Sequence, residues 1–258
     1  MATSETSAEA HAVAANASTP PQVSIVVPAY NEAARIGESI RKIEEFLKNM
    51  PWTAEVIVVD DGSRDDTAAV VRSMNFSGLR VLRNDPNRGK GFAVKTGVLD
   101  ALGEYVLFTD ADLSAPIDEL EKLLEAAKEQ RADVVIGSRA ADSSYIEKHQ
   151  SRGRELGGIV FNLMVKTILG LKIHDTQCGF KLFRRSKAIP VFERMTITGF
   201  GFDPELLFLS KRAKLKILEL PVRWSHAEGS KIRFMRDSVR MFSDLIRIRW
   251  NQIAGRYS

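Results

Sequence analysis

Short apolar runs alternate with longer amphipathic stretches through the first half of the chain. Five runs rich in Val, Ile and Leu predict buried strands, at residues 23–27, 55–59, 79–82, 105–109 and 133–136. Between them, apolar residues recur three or four positions apart, which predicts helices at 32–47, from 65–66 onward, at 92–102 and at 120–127. Repeated strand–helix units predict an α/β fold with a mostly parallel central sheet and helices on both faces.

The pattern becomes less regular after Arg139. Residues 142–151 are polar, and we expect a mobile loop there. Beyond it, the pattern predicts helices at 154–169, 204–213 and 232–253, strands at 181–183 and 216–222, and turns at 175–180 and 199–203.

The composition allows one sizeable core in a chain of 258 residues that is 44% hydrophobic. Residues 1–21 are rich in Ala, Ser and Thr and lack the segments of a signal peptide, so we expect a disordered tail. We expect one domain over residues 22–230 and a basic amphipathic helix over 231–258. The single cysteine excludes an intrachain disulfide and favours a reducing compartment. The chain has no run of about 18 apolar residues, so no transmembrane helix is predicted.

The net charge of +4 is mildly basic, and the excess of arginine lies near the C-terminus. Such a bias suits a phosphate-bearing substrate or an anionic membrane surface. A nucleic-acid partner would need a denser basic patch, so we do not expect one. The oligomeric state stays open.

Polar clusters follow four of the predicted strands, at residues 28–32, 60–63, 110–112 and 137–139. Ligands of such sheets bind outside the carboxyl ends of the strands. We therefore expect the four clusters to converge on one cleft.

Asp110 and Asp112 form the most informative of these clusters. Two carboxylates one residue apart at a strand end repel each other unless a cation lies between them, and hard divalent cations prefer such oxygen ligands. The alternative is a pair that caps the helix that follows Pro116. The D-x-D pattern alone does not decide between the two.

Several motifs together resemble the family 2 glycosyltransferases of the GT-A fold. They are residues 23–32, 58–63, 87–91, 110–112 and 137–139. Residues 175–181, 202–207 and 229–231 are more similar to the dolichyl-phosphate β-glucosyltransferases than to the mannosyl enzymes of the polyprenyl-phosphate branch. The resemblance covers Val23 to about Trp250 and implies a GT-A, Rossmann-like fold and an inverting enzyme that transfers a hexose.

The resemblance implies a donor site for a nucleotide sugar, with UDP-glucose expected. Its residues would be Pro28, Tyr30, Glu32, Asp60, Asp61, Lys90, Asp110, Ala111, Asp112, Ser230 and Lys231. Tyr30 can stack on a base, and Asp60 or Asp61 can accept a hydrogen bond from uracil or ribose. Lys90 can meet a phosphate, although a plain basic loop explains it equally well.

The same resemblance makes Asp110 and Asp112 the ligands of Mg²⁺ or Mn²⁺, which would act as a Lewis acid on the leaving diphosphate. Ser114 stands where the mannosyl branch often has Gln, so one coordination position would pass to water.

The expected acceptor is a polyprenyl phosphate, whose anionic oxygens hardly need a general base. Arg139, Arg152 and Arg154 are candidates for binding its phosphate, since guanidinium groups match phosphate oxygens; a solvated helix start explains Arg152 and Arg154 equally well. Asp175 and Asp203 lie on predicted turns. We expect one of them, with Arg139, in a catalytic role that orients sugar or acceptor, and helix capping is the alternative for Asp203.

The predicted C-terminal helix has one apolar face, formed by Met235, Val239, Phe242, Ile246, Trp250 and Ile253. Packing of this face on the core is the simpler interpretation. The alternative is a basic helix on a membrane surface, which suits a lipid acceptor and implies peripheral association with the cytoplasmic face of a membrane.

Three other functions share parts of this pattern. A soluble family 2 enzyme that uses GDP-mannose, a UDP-N-acetylhexosamine or a non-lipid acceptor would share the donor half. A sugar-1-phosphate nucleotidyltransferase would need a G-x-G-x-R loop after the first strand, which is missing. A catalytically silent nucleotide- or lipid-binding adaptor would not need Asp110, Asp112 and Arg139.

Overall fold

The computed structural model describes residues 20–139, 146–148, 152–225 and 234–257. Its strands are β1 Val23–Ala29, β2 Ala54–Asp60, β3 Leu79–Arg83, β4 Tyr105–Thr109, β5 Val134–Ser138, β6 Ile146–Lys148, β7 Phe180–Arg184, β8 Ile217–Pro221 and β9 Trp224–Ser225. Its helices are α1 Ile36–Lys48, α2 Thr67–Arg72, α3 Lys90–Asp100, α4 Glu119–Glu129, α5 Arg152–Leu169, α6 Arg185–Arg194, α7 Phe202–Arg212 and α8 Phe234–Ile253. Most of the expected tail, and the expected loop at 142–151 apart from β6, lie outside the described residues.

Seven strands form the central sheet in the order β3-β2-β1-β4-β7-β5-β8. All neighbouring pairs are parallel except the two that involve β7, which runs antiparallel to both β4 and β5. The mostly parallel α/β sheet that the sequence predicts is therefore confirmed. Strands β6 and β9 form a separate two-stranded parallel sheet, which the sequence did not predict.

Side chains of each strand alternate between two hydrophobic cores, one on each face of the sheet. In β1, Val26 packs in the core that contains α3, α5, α6, α7 and α8, whereas Ile25 and Val27 pack in the core that contains α1, α2 and α4. Period-two alternation in a buried sheet produces this division. The prediction of helices on both faces is thus confirmed.

Helix α6 is absent from the prediction. It contains Pro190, which removes a backbone donor and normally interrupts a helical pattern. The helix forms nonetheless because Val191 and Phe192 are buried, with Phe192 edge-on to Phe183 of β7 at 5.4 Å between ring centroids.

Helix α8 packs on the core, but through a different face from the one that the sequence suggested. Leu245 and Ile248 are fully buried, and the Asn251 amide donates to Thr196 Oγ1 at 3.0 Å. The expected apolar face is exposed instead, with Val239 at 68% and Trp250 at 63% exposure. The sequence missed this because α8 carries two apolar stripes and the periodicity does not say which one meets the core.

No helix in the described part of the chain is both long enough and apolar enough to span a membrane.

Candidate active site

The reversed strand β7 extends the carboxyl edge of the sheet. Because β7 is antiparallel, its first residue Phe180 pairs with Thr109, the last residue of β4. The Asp110 N–H then donates to the carbonyl of Gly179 at 3.2 Å. The turn at 175–179 therefore lies beside Asp110 and Asp112, at the edge where β1, β2 and β5 also end.

Asp110, Ala111 and Asp112 form a tight turn fixed by its own hydrogen bonds. The Leu113 N–H donates to the Asp110 carbonyl at 3.0 Å, and Leu113 adopts a left-handed backbone with φ of 47°. Asp112 Oδ1 accepts the Ser114 N–H at 3.0 Å. Helix α4 begins only at Glu119 and has no side-chain cap. The alternative that Asp110 and Asp112 cap this helix is therefore not what the geometry shows.

Gly179 makes room for the Asp110 carboxylate. A Cβ built on Gly179 would lie 2.1 Å from Asp110 Oδ2 and 2.4 Å from its Cγ, closer than real Cβ contacts. Gly179 lies within the motif at residues 175–181, but the motif alone predicts no role for it. Only the pairing of β7 with β4 reveals why a side chain is excluded there.

Lys90 lies against Asp110, with its Nζ 2.6 Å from Oδ1. Burial lowers the pKa of Lys90, but the charges of Asp110, Asp203 and Asp112 outweigh it and hold the pKa above its usual range. Gly89, with φ of 101°, precedes it at the start of α3, and a Cβ there would lie 2.5 Å from the Thr198 carbonyl oxygen. The backbone thus fixes a permanently charged ammonium beside the carboxylate pair.

A second ammonium–carboxylate pair lies deeper in the same region. Lys181 of β7 is fully buried and donates to Asp203 Oδ1 at 2.5 Å and to the Cys178 carbonyl at 2.6 Å. Burial raises the pKa of Asp203, and Lys181 and Lys90 offset part of that effect. Asp203 lies in the first turn of α7 without capping it. Capping therefore does not explain Asp203. Lys181 is a candidate site residue that the sequence alone did not predict.

Arg139 and Asp175 form a two-pronged ion pair. Arg139 donates from Nε to Asp175 Oδ2 at 2.6 Å and from Nη2 to Oδ1 at 2.9 Å, and its backbone N–H also donates to Oδ2. Burial alone would raise the pKa of Asp175, but the charge and hydrogen bonds of Arg139 outweigh burial and lower the pKa from 3.8 to about 2. The guanidinium lies 5.3 Å from the ring centroid of Trp224. Two residues predicted separately are thus one rigid unit, in which Asp175 holds the guanidinium in place.

The carboxylates of Asp60 and Asp61 are buried and held by the protein. Asp60 Oδ2 accepts from Arg83 at 2.6 Å and its Oδ1 from the Ser63 N–H at 3.0 Å. Asp61 Oδ2 accepts the Gly89 N–H at 2.7 Å, and its Oδ1 accepts from Asn84 at 2.9 Å. Asp61 therefore ties the end of β2 to the loop that leads into α3, whose first residue is Lys90.

The remaining donor-site candidates follow β1. Pro28 is buried in the strand, and Tyr30 is half-buried beyond it. Glu32 binds Arg35 at 2.7 Å, and its backbone N–H donates to Thr67 Oγ1. Ser230, Lys231 and the side chains of Arg152 and Arg154 lie outside the described residues.

The donor set suits a hard divalent cation that is shared with a ligand. Among described residues no group of three or more His, Cys, Asp or Glu side chains could hold a metal ion. Asp110 and Asp112 supply carboxylate oxygens, the type that Mg²⁺ and Mn²⁺ prefer, and Asp110 is 33% exposed on its side chain. Two carboxylates leave coordination positions that diphosphate oxygens and water can fill.

Known proteins resemble this chain over most of its length. The model of the family "Glycosyl transferase family 2" matches residues 24–192, from β1 through α6. The chain is 35% identical over 247 residues to the dolichyl-phosphate β-glucosyltransferase of Dictyostelium discoideum, covering 90% of this chain and 75% of that protein. The enzymes of the same name from Saccharomyces cerevisiae and Homo sapiens are each 35% identical, covering 91% of this chain and 76% of theirs.

Solved structures share the fold. Mannosyl-3-phosphoglycerate synthase from Rubrobacter xylanophilus superposes with a TM-score of 0.66 at 23% identity, covering 92% of this chain and 76% of that one. Glucosyl-3-phosphoglycerate synthase from Mycobacterium tuberculosis, in complex with Mn²⁺, UDP-glucose and phosphoglyceric acid, gives 0.64 at 20% identity, covering 100% and 86%. The matched family model and the relatives over nine-tenths of the sequence show that this chain is a glycosyltransferase and belongs to glycosyl transferase family 2.

Proposed function

We propose that this enzyme transfers glucose from UDP-glucose to a polyprenyl phosphate, with inversion at the anomeric carbon and with Mg²⁺ or Mn²⁺ bound at Asp110 and Asp112. The observation that carries the donor half is the ammonium of Lys90, 2.6 Å from Asp110 at the carboxyl edge of the sheet. The acceptor half is supported by relatives whose name states both the lipid phosphate and the β-glucosyl group.

In the proposed reaction, an oxygen of the lipid phosphate attacks C1 of glucose while the bond from C1 to the UDP oxygen breaks. The nucleophile is already anionic, so positioning and charge neutralisation carry most of the catalysis and no general base is required. The bound cation would act as a Lewis acid on the departing diphosphate. Lys90 supplies a second positive charge, since a phosphate oxygen can replace Asp110 as its partner.

Arg139 is the described residue best suited to the acceptor phosphate. Asp175 accepts hydrogen bonds from Nε and Nη2 of the Arg139 guanidinium and so fixes the plane of that group. A fixed guanidinium loses little side-chain freedom when it binds an anion. Asp175 is then a positioning residue that acts through Arg139. Arg152 and Arg154 remain further candidates for the same phosphate, because they begin helix α5.

Asp203 and Lys181 form a buried ion pair near Lys90. Their pair is almost completely buried, and Asp203 contributes to the field at Lys90. We propose that the pair holds Lys90 and Asp110 in register, and that Asp203 does not touch the sugar.

The test is a donor panel with a short-chain polyprenyl phosphate in detergent. UDP-glucose, GDP-mannose and UDP-N-acetylglucosamine, each labelled in the sugar, are incubated with Mn²⁺ and the product is identified by mass spectrometry. We expect hexosyl polyprenyl phosphate from UDP-glucose alone, and none from Asp112→Asn, whose partly exposed side chain leaves the fold intact.

Each other outcome identifies a different function. Product from GDP-mannose or the N-acetylhexosamine donor would show that the enzyme transfers a different sugar from the one proposed. Hydrolysis of UDP-glucose without lipid product would show that the acceptor is not a polyprenyl phosphate. Binding of UDP without turnover of any donor would favour the silent adaptor.

A further inference from the structure

Exposed large apolar side chains are concentrated on two helices. Nine such side chains are found in the described residues, and only Leu102 lies away from α5 and α8. The other eight are Ile159, Val160, Leu163, Val239, Phe242, Ile246, Trp250 and Ile253, which we call the α5–α8 face. Scattered single residues of this kind are ordinary, but a set on two adjoining helices marks an interaction surface.

The two helices pack against each other and present this face on a rigid base. Phe161, Val165 and Leu169 anchor α5 in the core below the sheet, at 8%, 0% and 4% exposure. Leu245 and Ile248 anchor α8 in the same core. The exposed residues therefore project from helices that are held by their opposite sides, and cannot turn inward without loss of the core.

Among the described side chains of α5 and α8, at residues 157–169 and 239–253, the exposed charges have one sign. Arg240, Arg247 and Arg249 of α8 are exposed, whereas the acidic residue among them, Asp244, is buried. On α5 the charged side chain among residues 157–169 is Lys166. A two-fold contact with a second copy would bring like charges together. An anionic lipid surface complements them and accepts the apolar side chains in the same contact.

The face is also coupled to the active site. Asp244 lies so close to Gly201 that a Cβ there would be 2.4 Å from its Oδ2. Gly201 immediately precedes α7, whose first turn carries Asp203. Helix α8 of this face is thus joined through a short contact to the start of α7, the helix that carries Asp203.

We propose that the α5–α8 face docks onto the surface of an anionic bilayer, with Phe242 and Trp250 in the headgroup region and the arginines against lipid phosphates. The proposal rests on the proposed function and deepens it, because docking would bring the enzyme to the surface that holds a lipid-borne phosphate. Helix α5 is as much a part of this surface as α8, although sequence patterning singled out α8 alone.

The test is flotation of the full chain with vesicles, with no donor or acceptor present. Vesicles of phosphatidylcholine with 30% phosphatidylglycerol are compared with pure phosphatidylcholine. We expect the wild type to bind the anionic vesicles at least tenfold more tightly. Leu163→Ser/Trp250→Ser should lose at least tenfold in affinity, and Arg247→Gln/Arg249→Gln should lose the preference for anionic lipid.

Leu102→Ser is the matched control, since Leu102 is 56% exposed but lies off the face, and its binding should equal that of the wild type. The melting temperature of each variant verifies folding. The proposal would be overturned if the wild type bound neither kind of vesicle. It would also be overturned if the wild type formed a concentration-dependent dimer that Leu163→Ser/Trp250→Ser dissociates. Vesicle binding without transfer to a polyprenyl phosphate would refute the proposed function instead, and transfer in detergent without vesicle binding would refute only the docking.

Discussion

Replacing Gly179 by Ala tests the geometry of the proposed metal site with a single methyl group. The new Cβ would lie 2.1 Å from Asp110 Oδ2, about 1.3 Å short of the 3.4 Å at which ordinary contact begins. The backbone of Gly179 has little freedom to retreat, because its carbonyl accepts the Asp110 N–H and Phe180 is paired with Thr109. The Asp110 carboxylate must therefore move.

A displacement of this size affects catalysis more than stability. Misplacement of a catalytic group by about 1 Å costs on the order of 10²-fold in rate, or about 2.7 kcal/mol in the activation free energy. Overpacking of the site should lower the free energy of unfolding by about 1–3 kcal/mol. We expect Gly179→Ala to remain folded at 25 °C and to lose about 10²-fold in kcat/KM.

The assay combines initial rates of transfer with Mn²⁺ affinity measured by electron paramagnetic resonance, so that metal binding is observed apart from turnover. Gly158→Ala is the matched control, because a Cβ on that exposed residue of α5 meets nothing within 4 Å. Its rate and metal affinity should not change. Unchanged Mn²⁺ affinity and kcat/KM in folded Gly179→Ala would refute Asp110 as a metal ligand in this position.

Three further predictions concern the charges around the site. Lys90→Met should bind Mn²⁺ roughly tenfold more tightly in the absence of nucleotide, because Asp110 loses its ammonium partner. The same variant should turn over more slowly. Weaker Mn²⁺ binding, measured by electron paramagnetic resonance, would contradict this prediction. Lys181→Met should lower the free energy of unfolding in urea by about 3–5 kcal/mol, because Asp203 is left as a buried unpaired charge. The double variant Lys181→Met/Asp203→Leu should recover part of the lost free energy. No recovery in the double variant would contradict the pairing of Lys181 with Asp203. Because the pKa of Asp175 is lowered from 3.8 to about 2, its carboxylate stabilises the fold by about 2 kcal/mol above pH 4 and loses this as the pH falls to about 2. The stability gap between wild type and Asp175→Asn in urea should shrink over that interval, and a constant gap would contradict the assigned pKa.

The sequence predicted the parallel part of the sheet well because local patterns determine it. Continuous apolar runs such as 56–59 and polar residues directly after them specify both the strand and the edge where its ligands lie. The prediction that Asp110 lies near the end of β1 followed from one rule, that ligands bind at the carboxyl ends of parallel strands. The direction of β7 did not, because a strand pattern reads the same in either direction.

What the sequence missed depends on contacts distant along the chain. Lys181 lies within an apolar strand and looks like a surface position until Asp203, 22 residues later, is placed beside it. Arg139 and Asp175 looked like separate candidates because 36 residues separate them. The exposed stripe of α8 was mistaken for its packing face because the periodicity marks an apolar face without naming its partner.

The measurement that tests the central claim most directly offers the enzyme two acceptors at once. Wild type is given UDP-[¹⁴C]glucose and Mn²⁺ with a polyprenyl phosphate in detergent and an equal concentration of 3-phosphoglycerate, and the label is partitioned between organic and aqueous phases. We predict label in the organic phase, abolished by chelation of the metal and by Asp112→Asn. Label transferred to the water-soluble acceptor, or transfer to lipid that survives chelation, would contradict the account.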